Sequence, residues 1–317
     1  MKKLLIATTA LVAGASAAAA DVTISGYGRF GLQYIEDRGG IGSDEENTQI
    51  ASRLRMNIDA TTETDVGVTF GARFRIQHDS GESAGEDGGE TNRARFSVGY
   101  EGFNVQVGNV DTAADSVALT YGSEMGFDDN SFGDSQGGFF AYDSDTRRGE
   151  FTGIAATYSV SGVNLYLSYV DTNQESILLG EEEIGVAADW TNGQLSVAAS
   201  YTDNAAGVAD DEHIFVGAAY TFGEATVGLN YYDWNEAADD LNQVTIYGTY
   251  ALGATTLRAY VSEIDVPGVD TDTAFGLGAD YSLGEGARLS GSVHSGFGDN
   301  FGDNQGTRAD LGVRFDF

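Results

Sequence analysis

The sequence predicts an all-β fold: a sixteen-stranded antiparallel up-and-down transmembrane β-barrel with an infolded third long loop. Three observations predict it. Beyond residue 20 the chain breaks into segments of about ten residues in which apolar and polar side chains alternate, the period of a strand with two unlike faces. The joints between segments switch strictly between short and long, as they do when a closed barrel turns tightly on one side of a membrane and loosely on the other. Aromatic residues gather at both ends of the apolar face, at the depth where amphipathic rings suit lipid headgroups.

Residues 1–20 stand apart from this pattern. Lys2 and Lys3 are followed by an apolar run, Leu4 to Gly14, and by the small residues Ala18, Ala19 and Ala20. This reads as a secretory signal peptide cleaved before Asp21, leaving residues 21–317 as a single barrel domain.

Strands are expected near 22–34, 49–60, 66–77, 92–100, 103–110, 151–160, 163–171, 183–190, 194–202, 213–222, 225–233, 243–252, 255–263, 273–283, 286–294 and 307–317. In the first, Val22, Ile24, Phe30, Leu32 and Tyr34 share one face, and Thr23, Ser25, Tyr27, Arg29 and Gln33 the other. In the last, Leu311, Val313, Phe315 and Phe317 oppose Arg308, Asp310, Arg314 and Asp316. Ser161-Gly162, Asn192-Gly193, Gly223-Glu224, Gly253-Ala254 and Gly284-Glu285-Gly286 fill short joints and suit tight hairpins. The one proline, Pro267, falls in a long joint, where it breaks no ladder. One aromatic rim comprises Tyr100, Tyr158, Trp190, Tyr220, Tyr250 and Tyr281; the other comprises Tyr34, Tyr169, Tyr201 and Tyr231. A barrel of sixteen strands is wide enough for water, and its polar inner face predicts a channel in place of a core. Only Tyr27 and Tyr260 read as inward tyrosines, which argues against an aromatic track for a selected solute.

The formal net charge is −33, which excludes nucleic acid as a partner, because phosphate binding needs a basic surface. Beyond the leader there is no lysine, and all fourteen basic residues are arginine. Half of them crowd into the first four strands: Arg29, Arg53, Arg55, Arg73, Arg75, Arg93 and Arg95. Alternation points all seven inward, so with strands about 4.8 Å apart they form one basic wall. Clustered cations repel and need opposing anions. The third long joint, Asp111 to Gly149, is the obvious source, for it holds 39 residues and carries Asp111, Asp115, Glu124, Asp128, Asp129, Asp134, Asp143 and Asp145. A structureless joint of that length calls for a function. It is expected to fold into the barrel and set its carboxylates against the arginines, leaving a transverse field across a narrow throat. Arg147 and Arg148 fit either the throat or a local ion pair.

The opening DVTISGYGRFGL, the inward arginines of RLRMNIDA and ARFRIQ, the VQVGNVDTA that leads into the long third loop and the terminal GVRFDF together resemble general diffusion porins of Gram-negative outer membranes, the alphaproteobacterial type most closely. The resemblance covers everything after the leader. It implies export to the outer membrane, passive diffusion of small hydrophilic solutes and ions, and a homotrimer of barrels in which the third loop forms an eyelet. The seven arginines would carry over as its basic wall and the loop acids, collectively, as its acidic side. Phe317 would carry over as the aromatic C-terminus read by the outer-membrane assembly machinery. Lipid and lipopolysaccharide would surround the barrel. The lack of lysine departs from any lysine-based eyelet contact. Gly26 and Gly28, on the outward face of the first strand, fit either close approach of a neighbouring subunit or local bending.

No enzyme is expected. His78, His213 and His294 each sit alone near a strand end and read as solvated, and no nucleophile motif accompanies them. No cofactor is expected either. Calcium is a candidate at the acidic loops, where Ser131–Gly137 and Asn300–Gly306 echo each other, but these also read as plain turn chemistry and no ligand set is assigned. The runs Asp44-Glu45-Glu46, Glu181-Glu182-Glu183 and Asp210-Asp211-Glu212 read as solvated faces, or as sites for divalent ions bridging lipopolysaccharide phosphates. Two other readings remain beside the diffusion channel: a substrate-selective outer-membrane channel, and a non-conducting structural or adhesive barrel.

Overall fold

A computed structural model describes residues 20–38, 44–80, 88–135, 137–142, 151–172, 180–235, 240–298 and 306–317. The signal peptide, apart from Ala20, lies outside the described residues, as do Asp143, Asp145, Arg147, Arg148 and Asn300–Gln305.

The strands are β1 (Asp21–Ile35), β2 (Thr48–Glu63), β3 (Thr69–Ser80), β4 (Gly88–Thr91), β5 (Arg95–Tyr100), β6 (Phe103–Gly108), β7 (Thr152–Val160), β8 (Val163–Asp171) and β9 (Glu183–Asn192). They continue with β10 (Leu195–Asp203), β11 (Glu212–Phe222), β12 (Ala225–Asn235), β13 (Asp240–Leu252), β14 (Thr255–Asp265), β15 (Ala274–Gly284), β16 (Ala287–Ser295) and β17 (Thr307–Asp316). Strands adjacent in sequence pair antiparallel, and β1 pairs β17, so the sheet closes on itself. β4 and β5 both pair β3 and occupy one position in the sheet, which makes the barrel sixteen-stranded. Tight hairpins form where the sequence placed them: Gly193, Gly223 and Gly253 adopt φ of 59°, 62° and 62°, a region that costs glycine nothing.

The break between β4 and β5 removes the basis of one expectation. Thr91 opposes Ile76 and Arg95 opposes Arg73, so three residues, Asn92 to Ala94, face two on β3. That is a β-bulge, and one extra residue reverses the parity of a strand. Arg93 sits in the bulge, half-buried and outside any strand, so alternation does not place it on the inner wall. Asn92 pins the bulge by donating from its side chain to Asn109 Oδ1 at 2.8 Å and from its backbone to Arg75 O at 3.1 Å.

Outward side chains such as Ile24, Phe30, Leu54, Phe96, Leu167, Leu229 and Leu277 form an exposed apolar band. Tyr100, Tyr158, Tyr220, Tyr250 and Tyr281 are exposed at one end of it, and Tyr169 and Tyr231 at the other. Gly28 faces the Phe315 ring of the neighbouring strand, whose tip would lie 2.4 Å from a Cβ placed there. The glycine therefore makes room for a side chain of its own barrel.

The segment after β6 enters the barrel through a short helix, α1 (Ala113–Ser116), capped by Thr112, and packs against the inner wall. Here the lumen is a core, against expectation. Val117, Met125 and Phe132 of the loop pack with Phe215, Tyr232, Trp234, Tyr247, Tyr260 and Ile264 of the wall. Burial of this apolar surface holds the loop inside, at about 25 cal/mol per Å² removed from water. Tyr232 and Tyr247 are thus inward tyrosines missed in the sequence, and they serve this packing, with Trp234, in place of a solute track.

Backbone groups of the loop lose water and need partners. Inward polar residues supply them. Gln243 donates to Phe132 O at 2.9 Å, Thr245 to Gly133 O at 2.6 Å, Asn230 to Leu119 O at 2.7 Å and Tyr232 to Thr120 O at 2.7 Å. Phe132 N donates to the Tyr260 hydroxyl at 3.0 Å, which meets His294 Nδ1 at 3.0 Å. Two histidines expected in solvent are therefore buried: His294 in this network, and His213 beside Trp234. Glu183, expected in a solvated acidic run, is 1% exposed and accepts from Phe140 N at 2.9 Å and Ala206 N at 2.8 Å. In each case the infolded loop covers a residue that the strand pattern alone leaves in water.

Candidate pore constriction

The arginines of the inner wall form a row set by strand register. Arg288 of β16 opposes Arg314 of β17, Arg314 opposes Arg29 of β1, and Arg29 opposes Arg53 of β2. Like charges directly opposite across a sheet repel, so the row is unfavourable unless anions enter it. Asp129 of the infolded loop enters. Its carboxylate lies 2.5 Å from Arg314, 3.3 Å from Arg29 and 3.4 Å from Arg288. Asp128 adds a pair 2.6 Å from Arg29 and accepts from Gln33 at 2.5 Å. At its far end the row is closed by the wall itself, where Arg53 pairs with Asp79 at 2.5 Å.

A second basic group lies on β2, β3 and β5. Arg73 makes a bidentate pair with Asp59, its Nε 2.6 Å and its Nη2 3.1 Å from the two carboxylate oxygens. Arg95 pairs with Asp111 at the start of the loop. Arg75 donates to Asn57 Oδ1 and to Tyr142 O, both at 2.9 Å. Arg55 donates to Gln77 Oε1. The wall arginines thus find anions from two sources: Asp111, Asp128 and Asp129 from the loop, and Asp59 and Asp79 from the strands beside them. The sequence reading looked only to the loop.

The other loop acids have different surroundings. Asp115 accepts from the Tyr121 hydroxyl at 2.8 Å and from Tyr142 N at 3.2 Å, and burial pushes its carboxyl up to about 6. Asp134 accepts from Ser123 Oγ at 2.5 Å and Ser123 N at 3.3 Å, and burial raises it to about 7. Both brace the fold of the loop. Glu124 lines a cavity of about 150 Å³ with Asp129, Arg258, Asp280 and Arg288. Burial, with the carboxylates of Asp134 and Asp129, pushes Glu124 up to about 9 against the pull of Arg29 and Arg314. Among the described residues no cluster of His, Asp and Glu is arranged to hold a metal ion.

Arg258, Arg288 and Arg314 belong to this constriction and were not assigned to it from sequence. Alternation already turns Arg314 inward; what brings it beside Arg29 is closure of β17 onto β1. Arg258 of β14 pairs with Asp280 of β15 at 2.8 Å and continues the polar wall beyond Arg288. The result is a polar throat between the loop and β14–β17 and β1–β5, while β8–β14 carry the loop on their apolar inner face.

A family model described as Gram-negative porin matches residues 7–300 of the chain. The porin of Fuscovulum blasticum is 56% identical over 303 residues, which cover 94% of this chain and 100% of that protein. The porin of Rhodobacter capsulatus is 30% identical over 331 residues, with the same coverage of 94% and 100%. Among solved structures, a Rh. blastica porin variant with a lysine and an arginine replaced by alanine gives a TM-score of 0.83 at 55% identity, covering 94% of this chain and 100% of its own. A variant with an aspartate and a glutamate replaced by alanine gives the same values. A third structure, from work on asymmetric conductivity of engineered proteins, gives 0.83 at 56% identity over the same shares.

Proposed function

The chain belongs to the Gram-negative porin family, and from that premise we propose that the throat between the infolded loop and the arginine wall is the eyelet of an outer-membrane channel. The protein is an outer-membrane β-barrel through which small hydrophilic solutes and ions diffuse passively. One observation carries the eyelet reading: Asp129 of the infolded loop pairs with Arg29, Arg288 and Arg314 of the wall, so the loop and the wall share one electrostatic unit. Loop acids on one side and guanidiniums on the other set up a field across the opening, which orients dipolar solutes and sorts ions by charge.

The basic side comprises Arg29, Arg53, Arg55, Arg73, Arg75 and Arg95 with Arg288 and Arg314; Asp111, Asp128 and Asp129 face them. The channel works without catalysis or cofactor. The leader is removed before Asp21, which rests on the pattern of residues 1–20; the barrels assemble as homotrimers and Phe317 marks the chain for outer-membrane assembly, and these two statements rest on the family alone. Single-channel recording in planar bilayers tests the proposal. Stepwise conductance is expected, with a reversal potential in a salt gradient that moves toward cation preference when Arg53, Arg55, Arg73 and Arg75 become Gln. Silence at all voltages would refute the channel, and an unmoved reversal potential would refute the eyelet.

A further inference from the structure

Asp128 and Asp129 stand on a closed turn of the infolded loop. Met125 and Asn130 pair backbone to backbone at 3.1 and 3.0 Å, with Gly126 and Asp129 in the left-handed region at φ of 83° and 52°. The barrel wall grips this turn at two backbone N–H groups. Phe127 N donates to Asp310 Oδ1 of β17 at 2.9 Å, and Phe132 N donates to the Tyr260 hydroxyl of β14 at 3.0 Å. The two acceptors are joined through β16. Tyr260 meets His294 Nδ1 at 3.0 Å, His294 Nε2 meets Ser292 Oγ at 2.7 Å, and Ser292 hydrogen-bonds to Asp310 Oδ2. Three strands thus supply one unbroken chain of side chains between the two grips.

Proton counting gives this chain a direction. The Asp310 carboxylate only accepts, so the single hydroxyl hydrogen of Ser292 goes to it. His294 Nε2 must then donate to Ser292, which leaves Nδ1 of a neutral imidazole to accept the Tyr260 hydrogen. The Tyr260 oxygen is in turn the acceptor for Phe132 N. Arg308 opposes His294 across β16 and β17, its guanidinium 4.9 Å from the centre of the Phe132 ring, so a second cation at His294 is disfavoured.

We infer that His294, neutral and with its proton on Nε2, is a positioning residue that locks the Asp128–Asp129 turn against the arginine row and so helps set the ion selectivity of the eyelet; this rests on the eyelet reading above. It acts through Tyr260 on one side and through Ser292 and Asp310 on the other. Each link of a buried hydrogen-bonded chain polarises and orients the next, so the two grips hold as a unit. Removing the imidazole breaks the chain between them. The turn then loosens, and its carboxylates withdraw from Arg29, Arg288 and Arg314, whose charge faces the lumen uncompensated. His294 is 1% exposed, so it reaches a passing ion only through the turn.

Reversal potentials in a salt gradient test this on the full-length protein. His294→Leu replaces one neutral group by another, so it changes no charge. It is nevertheless expected to shift selectivity toward anions, with circular dichroism confirming an intact barrel. His294→Gln restores a neutral acceptor beside a donor and is expected to stay close to the parent. Because His294 is buried, Ser292→Ala, which cuts the chain at a half-buried hydroxyl, serves as the second variant and should shift the same way. In a background carrying Asp128→Asn and Asp129→Asn, His294→Leu is expected to add nothing, since it acts through those carboxylates. Folded His294→Leu and Ser292→Ala variants with the parent's reversal potential would overturn the inference. So would a Gln variant that shifts as far as Leu, or a Leu shift undiminished in the Asn background. If the four-arginine Gln variant leaves selectivity unmoved, the eyelet reading has failed; if that variant shifts selectivity and the His294 and Ser292 variants do not, only the present inference has failed.

Discussion

The Asp129 carboxylate lies 2.5 Å from Nη1 of Arg314, although 185 residues separate them in sequence. The same carboxylate serves Arg29 and Arg288, so one anion offsets the repulsion among three guanidiniums that strand register sets side by side. Asp129→Asn removes that charge and keeps the shape. The lumen becomes more positive by one unit beside the arginine row. A reversal-potential measurement is expected to show a shift toward anions, opposite to the arginine replacements, and weaker in high salt because the lumen is hydrated.

Glu124 predicts a pH dependence. Burial and the carboxylates of Asp134 and Asp129 hold its pKa up at about 9, so near neutral pH it is largely protonated. As pH rises through about 9 it ionises and adds a negative charge to the cavity it shares with Arg258 and Arg288. Cation preference is therefore expected to rise between about pH 8 and about pH 10. Glu124→Gln should flatten that rise; a slope unchanged in this variant would place its origin elsewhere.

Glu183 ties the returning end of the loop to β9 by accepting from Phe140 N and Ala206 N. Glu183→Ala leaves the buried Phe140 N–H unsatisfied, at a cost of about 1–3 kcal/mol, and the partly buried Ala206 N–H without its acceptor. Chemical denaturation is expected to record that loss. Single-channel traces should grow noisier as the loop end detaches. Glu183→Gln retains an acceptor oxygen and is expected to be milder in both measurements.

Gly312 couples the wall to the loop sterically. A Cβ there would lie 2.6 Å from Cγ of the Phe127 ring and 2.6 Å from the Phe30 carbonyl oxygen. Gly312→Ala is therefore expected to displace Phe127 and to cost about 1–3 kcal/mol as overpacking. Phe127 directly precedes Asp128 and Asp129, so the selectivity shift should run the same way as in Asp129→Asn. Normal selectivity with normal stability would show that the wall tolerates the methyl group.

Much of the barrel was legible because its signal is local. Period-two alternation, hairpin glycines and terminal tyrosines are each read within about ten residues, and each reflects chemistry that every strand must satisfy separately. The bulge at Asn92–Ala94 was not legible. It inserts one residue without altering composition, and it breaks the alternation that pointed Arg93 inward. Inward Tyr232, Trp234, Tyr247, His213 and His294 were passed over because a polar lumen was expected to be wet throughout. Nothing in their own strands says that a loop from elsewhere in the chain lies over them.

By itself the sequence determined the closed barrel, the direction in which each arginine of a regular strand points, and which joint was too long to be a simple connection. Those follow from nearest-neighbour rules of strand geometry. Only the tertiary structure decided which carboxylate meets which guanidinium. Closure of β17 on β1 carried Arg314 and Arg288 into the wall, the apolar bed on β11–β14 fixed how deeply the loop sits, and that depth placed Asp129 and Tyr142, leaving Asp115 and Asp134 to brace the loop. Charge pairing falls off steeply with distance, and the distances across a lumen are set by packing far from the charges themselves.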